Sequence, residues 1–180
     1  MGRIDPTTSA DVTVRTIRPD EGERLKTLRL EAITSCPTAF GADVEITLAK
    51  DWNERAAASD GTKGEAIFVA EHDDRLVGMT GVYRHTTAKT RHACGIWGVF
   101  VQPAFRGRGV GEALIDAAVD WAAQQDGVTI IRLMVTVGNE AALACYRRCG
   151  FEITGKESAT IRVDGVEYDE YLLCRRLKAP

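Results

Sequence analysis

Two arginines and three glycines stand directly before a long amphipathic pattern in the segment 101–122, VQPAFRGRGVGEALIDAAVDWA. These residues are Arg106, Gly107, Arg108, Gly109 and Gly111. A helix start leaves backbone N–H groups without partners and carries partial positive charge, which favours a bound anion. Glycines let an anion approach the backbone closely, and arginines add forked donors for phosphate oxygens. The segment therefore predicts a binding site for a phosphate-bearing cofactor.

Two common phosphate loops do not fit this segment. A Walker loop requires Gly-x-x-x-x-Gly-Lys-Ser/Thr, and the chain contains no such run. A dinucleotide fingerprint requires Gly-x-Gly-x-x-Gly near the first strand of a βαβ unit, whereas 107–111 reads Gly-x-Gly-x-Gly in mid-chain. Neither nucleotide class is therefore predicted.

The run Arg-x-x-Gly-x-Gly over 106–111, preceded by VFVQP, resembles the acetyl-CoA signature of the GNAT (Gcn5-related) N-acetyltransferase superfamily. A second block, NEAALACYRRCGF over 139–151, resembles the family's Asn-x-x-Ala-x-x-x-Tyr-x-x-x-Gly-Phe helix. The order of predicted elements from 12 to 177 also agrees with that family. The resemblance thus covers nearly the whole chain.

The resemblance implies acetyl-CoA as co-substrate. Its pyrophosphate would lie on the amides of 107–111, and its pantetheine arm would pair with the strand edge 99–101 in the manner of strand addition. Gly98 would mark a bulge in that strand. The residues expected to bind acetyl-CoA are Val99, Phe100, Val101, Arg106, Gly107, Arg108, Gly109, Val110, Gly111, Asn139 and Tyr146.

The expected reaction is attack of an amine on the thioester carbonyl, with departure of the CoA thiolate. The motif places Tyr146 as the catalytic proton donor to that thiolate, and a backbone N–H of 99–101 would polarise the carbonyl. Relatives that acetylate ribosomal protein ends carry a glutamate five residues before the motif asparagine, where this chain has Met134. Glu31 and Glu45 are the alternative carboxylates, and water is a further route for the proton.

Hydrophobic periodicity predicts the elements that position these residues. Helices are expected over 19–36, through Trp52 and Arg55, from 110 onward, and over 139–150 with Asn139 as N-cap. Trp52 either lines an acceptor pocket or only fixes its short helix. Strands are expected over 12–18, 93–101 and 128–137, with hairpins over 65–85 and 151–177. The fold class is α/β (α+β): one domain over 12–177, with a mixed, mostly antiparallel sheet flanked by helices and acetyl-CoA between two splayed strands.

Composition limits the function classes. The 180 residues carry a net charge of −3, which argues against a nucleic-acid partner. The chain contains no apolar run of eighteen residues, which predicts no membrane span, and residues 1–11 read as a flexible tail without a signal core. The five cysteines are scattered, which predicts reduced thiols in a cytoplasmic protein, and no metal site is expected although Cys145 and Cys149 share a helix face.

The function predicted from the sequence is transfer of acetyl from acetyl-CoA to a primary amine of a small molecule or a peptide end. A GNAT-like domain that binds acetyl-CoA without turnover, and a transferase for a longer acyl-CoA, remain open alternatives. A homodimer is possible because open sheet edges must be covered.

Overall fold

The computed structural model describes residues 11–177, which form one seven-stranded sheet with helices on both faces. The strands are β1 (Thr13–Thr16), β2 (Glu65–His72), β3 (Arg75–Arg84), β4 (Ala93–Val101), β5 (Ile130–Thr136), β6 (Glu152–Val163) and β7 (Val166–Arg176). The helices are α1 (Gly22–Ser35), α2 (Val44–Ala49), α3 (Trp52–Ala58), α4 (Val110–Ala123) and α5 (Glu140–Arg148). Among the described residues, no helix is long and apolar enough to cross a membrane.

The sheet order is β1-β2-β3-β4-β5-β7-β6, and every neighbouring pair is antiparallel except β4 and β5. Both predicted hairpins are present. Asp73 and Asp74 connect β2 to β3 with φ of 46° and 58°, and Asp164 and Gly165 connect β6 to β7 with φ of 50° and 81°. Asp and Gly tolerate this left-handed backbone, which explains the turn positions. The predicted mixed, mostly antiparallel sheet is confirmed.

Two layers of apolar side chains hold the helices against the sheet. On one face, α4 and α5 cover residues such as Val82 and Ile131. On the other face, α1 and α3 cover residues such as Ile67 and Met79. Neighbouring residues along each strand point to opposite faces, so β2 contributes Ala66 to one layer and Ile67 to the other.

The strands β4 and β5 separate soon after they begin. They pair in parallel only where Ala93–Gly95 meets Ile130–Arg132, although both strands continue well beyond. On its other side β4 remains paired with β3, with Gly81 opposite Trp97 and Met79 opposite Phe100. The extra residue in β4 forms a bulge, and Gly98 within it has φ +66°. The expected bulge at Gly98 is confirmed, and a cleft opens between the splayed strands.

The segment between α1 and β2 differs most from the sequence prediction. The short helix expected through Trp52 and Arg55 is confirmed as α3, and a further short helix, α2, forms where a loop was expected. Each begins at an aspartate whose carboxylate accepts backbone N–H groups: Asp43 accepts from Ile46, and Asp51 accepts from Asn53 and Glu54. The predicted helix 19–36 is a 3₁₀ turn followed by α1, and the predicted strand 12–18 is shorter, at Thr13–Thr16. Residues 1–10 of the predicted tail lie outside the described residues.

A buried ion-pair cluster fixes the start of α1 against the sheet. Glu21 is only 3% exposed, and its carboxylate receives two hydrogen bonds of 2.7 Å from Arg15. Arg15 also donates to Glu71 at 2.8 Å, which links β1 to β2. The Arg15 hydrogen bonds lower the pKa of Glu21 from 4.5 to about 2. This contact orients α1, which carries one wall of the site described below.

Candidate functional site

A cavity of about 630 Å³ lies in the cleft beside β4, between the start of α4 and the face of α5. Most of the residues predicted to bind the cofactor line it: Val99, Phe100, Val101, Arg106, Gly107, Gly109, Gly111, Asn139 and Tyr146. The cavity also contacts Cys36, Ala39 and Phe40 beyond the end of α1. Two motifs separated by about thirty residues of sequence are thus brought to one cavity.

The glycines form the end of the cavity next to α4. Gly107 and Gly109 have φ of +72° and +79°, a backbone region that disfavours residues with a Cβ. Gly109 is the N-cap of α4 and provides no side chain to satisfy the first N–H groups of the helix. A Cβ on Gly111 would lie 3.4 Å from Sγ of Cys145, inside the cavity wall. The backbone donors of this turn are therefore accessible to an anion.

Three predicted cofactor-binding residues beside these glycines, Arg106, Arg108 and Val110, take different positions. Arg106 turns back along the cavity, where its Nε donates to the Val101 carbonyl at 2.9 Å and its guanidinium lies 5.9 Å from the Phe100 ring. Arg108 stacks instead on Phe105, at 5.7 Å, and does not line the cavity. The Val110 side chain is buried in the core, so only its backbone can face an anion at the helix start.

The helix α5 supplies the opposite wall. The Oδ1 of Asn139 accepts the Ala142 N–H at 3.2 Å, which confirms the predicted N-cap. Tyr146 lies two turns later, lines the cavity and is 6% exposed, with Phe151 packed against its ring at 6.3 Å. Burial raises the pKa of Tyr146, so its hydroxyl is protonated at neutral pH. Within residues 11–177, that hydroxyl forms no hydrogen bond.

An ion pair crosses between the two helices at the same cavity. Nε of Arg148 donates to Glu112 at 2.8 Å, joining the end of α5 to the first turn of α4. The ion pair compensates the negative charge of Glu112, which would otherwise repel an anion bound at the start of α4. Neither residue was predicted from the sequence, although Arg148 lies within the 139–151 block and Glu112 directly follows the 106–111 run.

The carboxylates proposed as bases do not line this cavity. The Oε2 of Glu31 accepts a hydrogen bond of 2.7 Å from Gln102, and Glu45 is exposed on α2. Met134, at the position of the relatives' glutamate, is 39% exposed.

Another carboxylate, Glu170 on β7, is only 9% exposed and lies opposite Thr136 on the neighbouring strand β5. The Thr136 hydroxyl donates to the Thr38 carbonyl at 2.6 Å, beside the cavity residue Ala39. Burial, with the neighbouring Glu157, raises the pKa of Glu170. No sequence pattern marks Glu170, because strand pairing alone brings it beside Thr136.

A second, smaller cavity of about 360 Å³ lies on the side of Trp97. Its lining residues are Arg29, Ala42, Thr47, Lys50, Trp52, Arg55, Tyr83 and Trp97. Trp52 lines this cavity, and its Nε1 donates to the Thr47 carbonyl at 2.7 Å. Trp97, at the bulge, carries the guanidinium groups of Arg29 and Arg55 against its ring.

The cysteines are all free thiols within the described residues. Among residues 11–177, no group of three or more His, Cys, Asp or Glu side chains is arranged to hold a metal ion. Cys145 is of interest only because it lines the larger cavity.

Comparison with known proteins agrees with this geometry. Residues 30–151 match the family model described as the acetyltransferase (GNAT) family. The chain belongs to the GNAT acetyltransferase family. The match includes both the glycine turn and the α5 block, the two segments that meet at the larger cavity.

Individual proteins give the same fold. The acetyltransferase of GNAT family from Streptococcus pneumoniae has a TM-score of 0.81 at 18% identity, covering 93% of this chain and all of that one. Arabidopsis thaliana NAA60, solved in complex with acetyl-CoA, has a TM-score of 0.68 at 18% identity, with 92% and 98% covered.

Among curated relatives, the uncharacterized N-acetyltransferase MJ1207 of Methanocaldococcus jannaschii is 37% identical over 90 residues. That match covers 49% of this chain and 39% of the relative. Matches to the first curated relatives span between about a quarter and three fifths of their own lengths. The family and the fold are therefore established, and the acceptor is not.

Proposed function

We propose that this protein transfers the acetyl group of acetyl-CoA directly to a primary amine of a small molecule or a peptide end. The observation that carries the proposal is the larger cavity, where a glycine turn opening α4, a strand edge without a strand partner and the Tyr146 hydroxyl meet. Each of these three features matches one part of acetyl-CoA: the pyrophosphate, the pantetheine arm and the thioester.

The pyrophosphate fits the N–H groups of 107–111, with Arg106 as a cation of the same cavity wall. Each charge-assisted hydrogen bond contributes roughly 1.5–3 kcal/mol. The pantetheine amides fit the backbone of Val99–Val101, because β5 has already separated from β4 at this level. In this structure Arg106 donates a hydrogen bond to the Val101 carbonyl. We infer that the Arg106 side chain turns toward the phosphates when the pantetheine arm pairs with β4. Arg108 and Val110 remain predicted contacts through their backbone.

In the reaction, the amine nitrogen forms a bond to the thioester carbon, and the carbon–sulfur bond then breaks. A backbone N–H near the β4 bulge polarises the carbonyl oxygen. Tyr146 gives its proton to the leaving thiolate and recovers one from water. The proton of the attacking amine leaves through a water relay, for which we propose Glu170 as the accepting carboxylate.

Tyr146→Phe tests the catalytic assignment. Affinity for acetyl-CoA should stay within a few-fold, because only one oxygen is lost, while turnover should fall by roughly 10²–10⁴, the usual contribution of a positioned general acid. Calorimetry measures the first quantity, and release of the CoA thiol with a panel of amines measures the second. Tyr168→Phe, on β7 and outside both cavities, is the matched control.

The same assays separate the remaining possibilities. Tight binding of acetyl-CoA without thiol release for any amine would favour a non-catalytic acetyl-CoA-binding domain. Faster turnover with longer acyl-CoA donors would change the donor assignment. Normal turnover by Tyr146→Phe would make Tyr146 a packing residue.

We also propose a homodimer, which a monomer mass in light scattering at micromolar concentration would contradict.

A further inference from the structure

Arg29 is a buried arginine with no charged partner among residues 11–177. It projects from α1 and is 7% exposed, with its guanidinium 5.0 Å from the Phe40 ring and 5.4 Å from the Trp97 ring. Within residues 11–177 it forms no ion pair or hydrogen bond, and its Nη1 is buried without a partner. Burial lowers the pKa of Arg29 to about 10. A buried charge without a counter-ion is unfavourable for folding, so a role for it must lie elsewhere.

The smaller cavity around Arg29 lacks negative charge. Three of its lining residues are cations (Arg29, Lys50 and Arg55), and no carboxylate lines it. Arg55 already has a partner, Glu65, at 3.0 Å. The Arg29 guanidinium therefore remains available, between two aromatic rings that exclude water and strengthen its interaction with an anion. The chemistry of this cavity is that of a site for a small anionic group.

The position of Arg29 connects this cavity to the acetyl-transfer cavity. A Cβ on Gly98 would lie 2.9 Å from its Nη1, so the guanidinium packs directly on the β4 bulge. Trp97, before the bulge, lines the smaller cavity, and Val99, after it, lines the larger one. Phe40, which stacks on Arg29, also lines the larger cavity. An anion held by Arg29 thus lies close to the strand segment proposed to hold the thioester.

We propose that the acceptor is a small amine that carries a carboxylate, an amino acid or a close analogue, and that Arg29 binds this carboxylate. The inference rests on the proposed acetyl transfer and narrows its substrate class. Arg29 holds the carboxylate on one side of the Gly98 bulge while the amine reaches the thioester on the other. A protein chain end has no carboxylate beside its amine, so the proposal disfavours it as the acceptor.

Matched acceptors test the proposal. The proteinogenic L-amino acids and their C-terminal amides are compared by CoA thiol release at saturating acetyl-CoA. The α-amine of the amide is less basic, so intrinsic reactivity at neutral pH favours the amide. We expect the reverse order with this protein, with kcat/KM about 10- to 100-fold higher for the best acid, the contribution of about one charge-assisted hydrogen bond. Equal rates, or faster turnover of the amides, would overturn the proposal.

Variants of Arg29 supply the second test. Arg29→Met keeps the volume and should reduce the acid-to-amide ratio to one or below, the intrinsic order, while acetyl-CoA affinity and the melting temperature are retained or raised. Arg29→Lys should keep part of the preference. Lys26→Met, on the same helix but outside both cavities, is the control. A ratio that is unchanged in Arg29→Met would refute the assignment.

Failure of the proposed function has a different signature. If no acceptor releases CoA, calorimetry of the amino acids and amides against the CoA-saturated protein still examines the Arg29 site. Binding of an acid without binding of its amide, abolished in Arg29→Met, would support the carboxylate site and reject catalysis. Absence of both turnover and binding for every acid of the panel would reject the carboxylate site.

Discussion

Substitution of Gly111 by alanine separates cofactor binding from folding. Gly111 is the second residue of α4, outside the positive-φ region, and lines the larger cavity. An added methyl would meet only Sγ of Cys145 at 3.4 Å and Cγ2 of Val101 at 4.0 Å. The fold can accept these contacts, and alanine is favoured over glycine inside a helix by up to about 1 kcal/mol. Stability should therefore be retained or slightly increased.

The same methyl should weaken acetyl-CoA binding. It occupies the space from which a phosphate oxygen would approach the N–H groups at the start of α4, at the usual 2.9 Å or so. Loss of one or two charge-assisted hydrogen bonds corresponds to about 3 kcal/mol, or roughly a 150-fold higher Kd. Isothermal titration calorimetry gives the affinity, and thermal unfolding gives the stability of the same sample.

A matched control is available in the chain. Gly41→Ala adds a methyl in an exposed loop with no atom within 4 Å, and it should change neither quantity. Acetyl-CoA affinity within threefold of the parent protein, in a Gly111→Ala variant that melts normally, would refute the placement of the pyrophosphate at this turn.

Three further outcomes follow from other parts of the structure. Glu21→Gln should lower the free energy of unfolding at pH 7 by roughly 3 kcal/mol, since the pKa falls from 4.5 to about 2 on folding. Because the stabilisation from a lowered carboxyl pKa is complete above the unfolded pKa and is lost as the pH falls to the folded pKa, the difference should shrink from pH 4.5 toward 2 in urea titrations. A constant difference would contradict this reasoning. Gly98→Ala should cost about 1–2 kcal/mol in the same titrations, because its φ is +66° and its Cβ would displace Arg29. Glu170→Gln should remove the decrease of kcat/KM at low pH. In the parent protein this decrease should occur above the ordinary glutamate pKa of 4.5, because burial raises the pKa of Glu170. An unchanged pH profile would leave water as the base.

The sequence by itself determined the elements that depend on local interactions. The apolar spacing from Val110 predicted α4, and the structure confirms it over Val110–Ala123. Asn139 predicted the start of α5 through its capping side chain, and Asp-Gly at 164–165 predicted the last hairpin. The phosphate turn belongs to the same class, because glycine conformation and helix-start donors are properties of a few neighbouring residues. These features gave the family and most of the cofactor wall.

Only the tertiary structure decided the features that depend on residues far apart in sequence. Arg29 resembled any arginine of an amphipathic helix until Phe40 and Trp97 enclosed it, and Glu170 was one acid among several until β5 and β7 paired. Arg108 and Arg106 looked equivalent in the motif, yet one stacks on Phe105 and the other turns into the cavity. Burial and pairing are set by packing between elements, and they determine which charges lose water and which face a ligand.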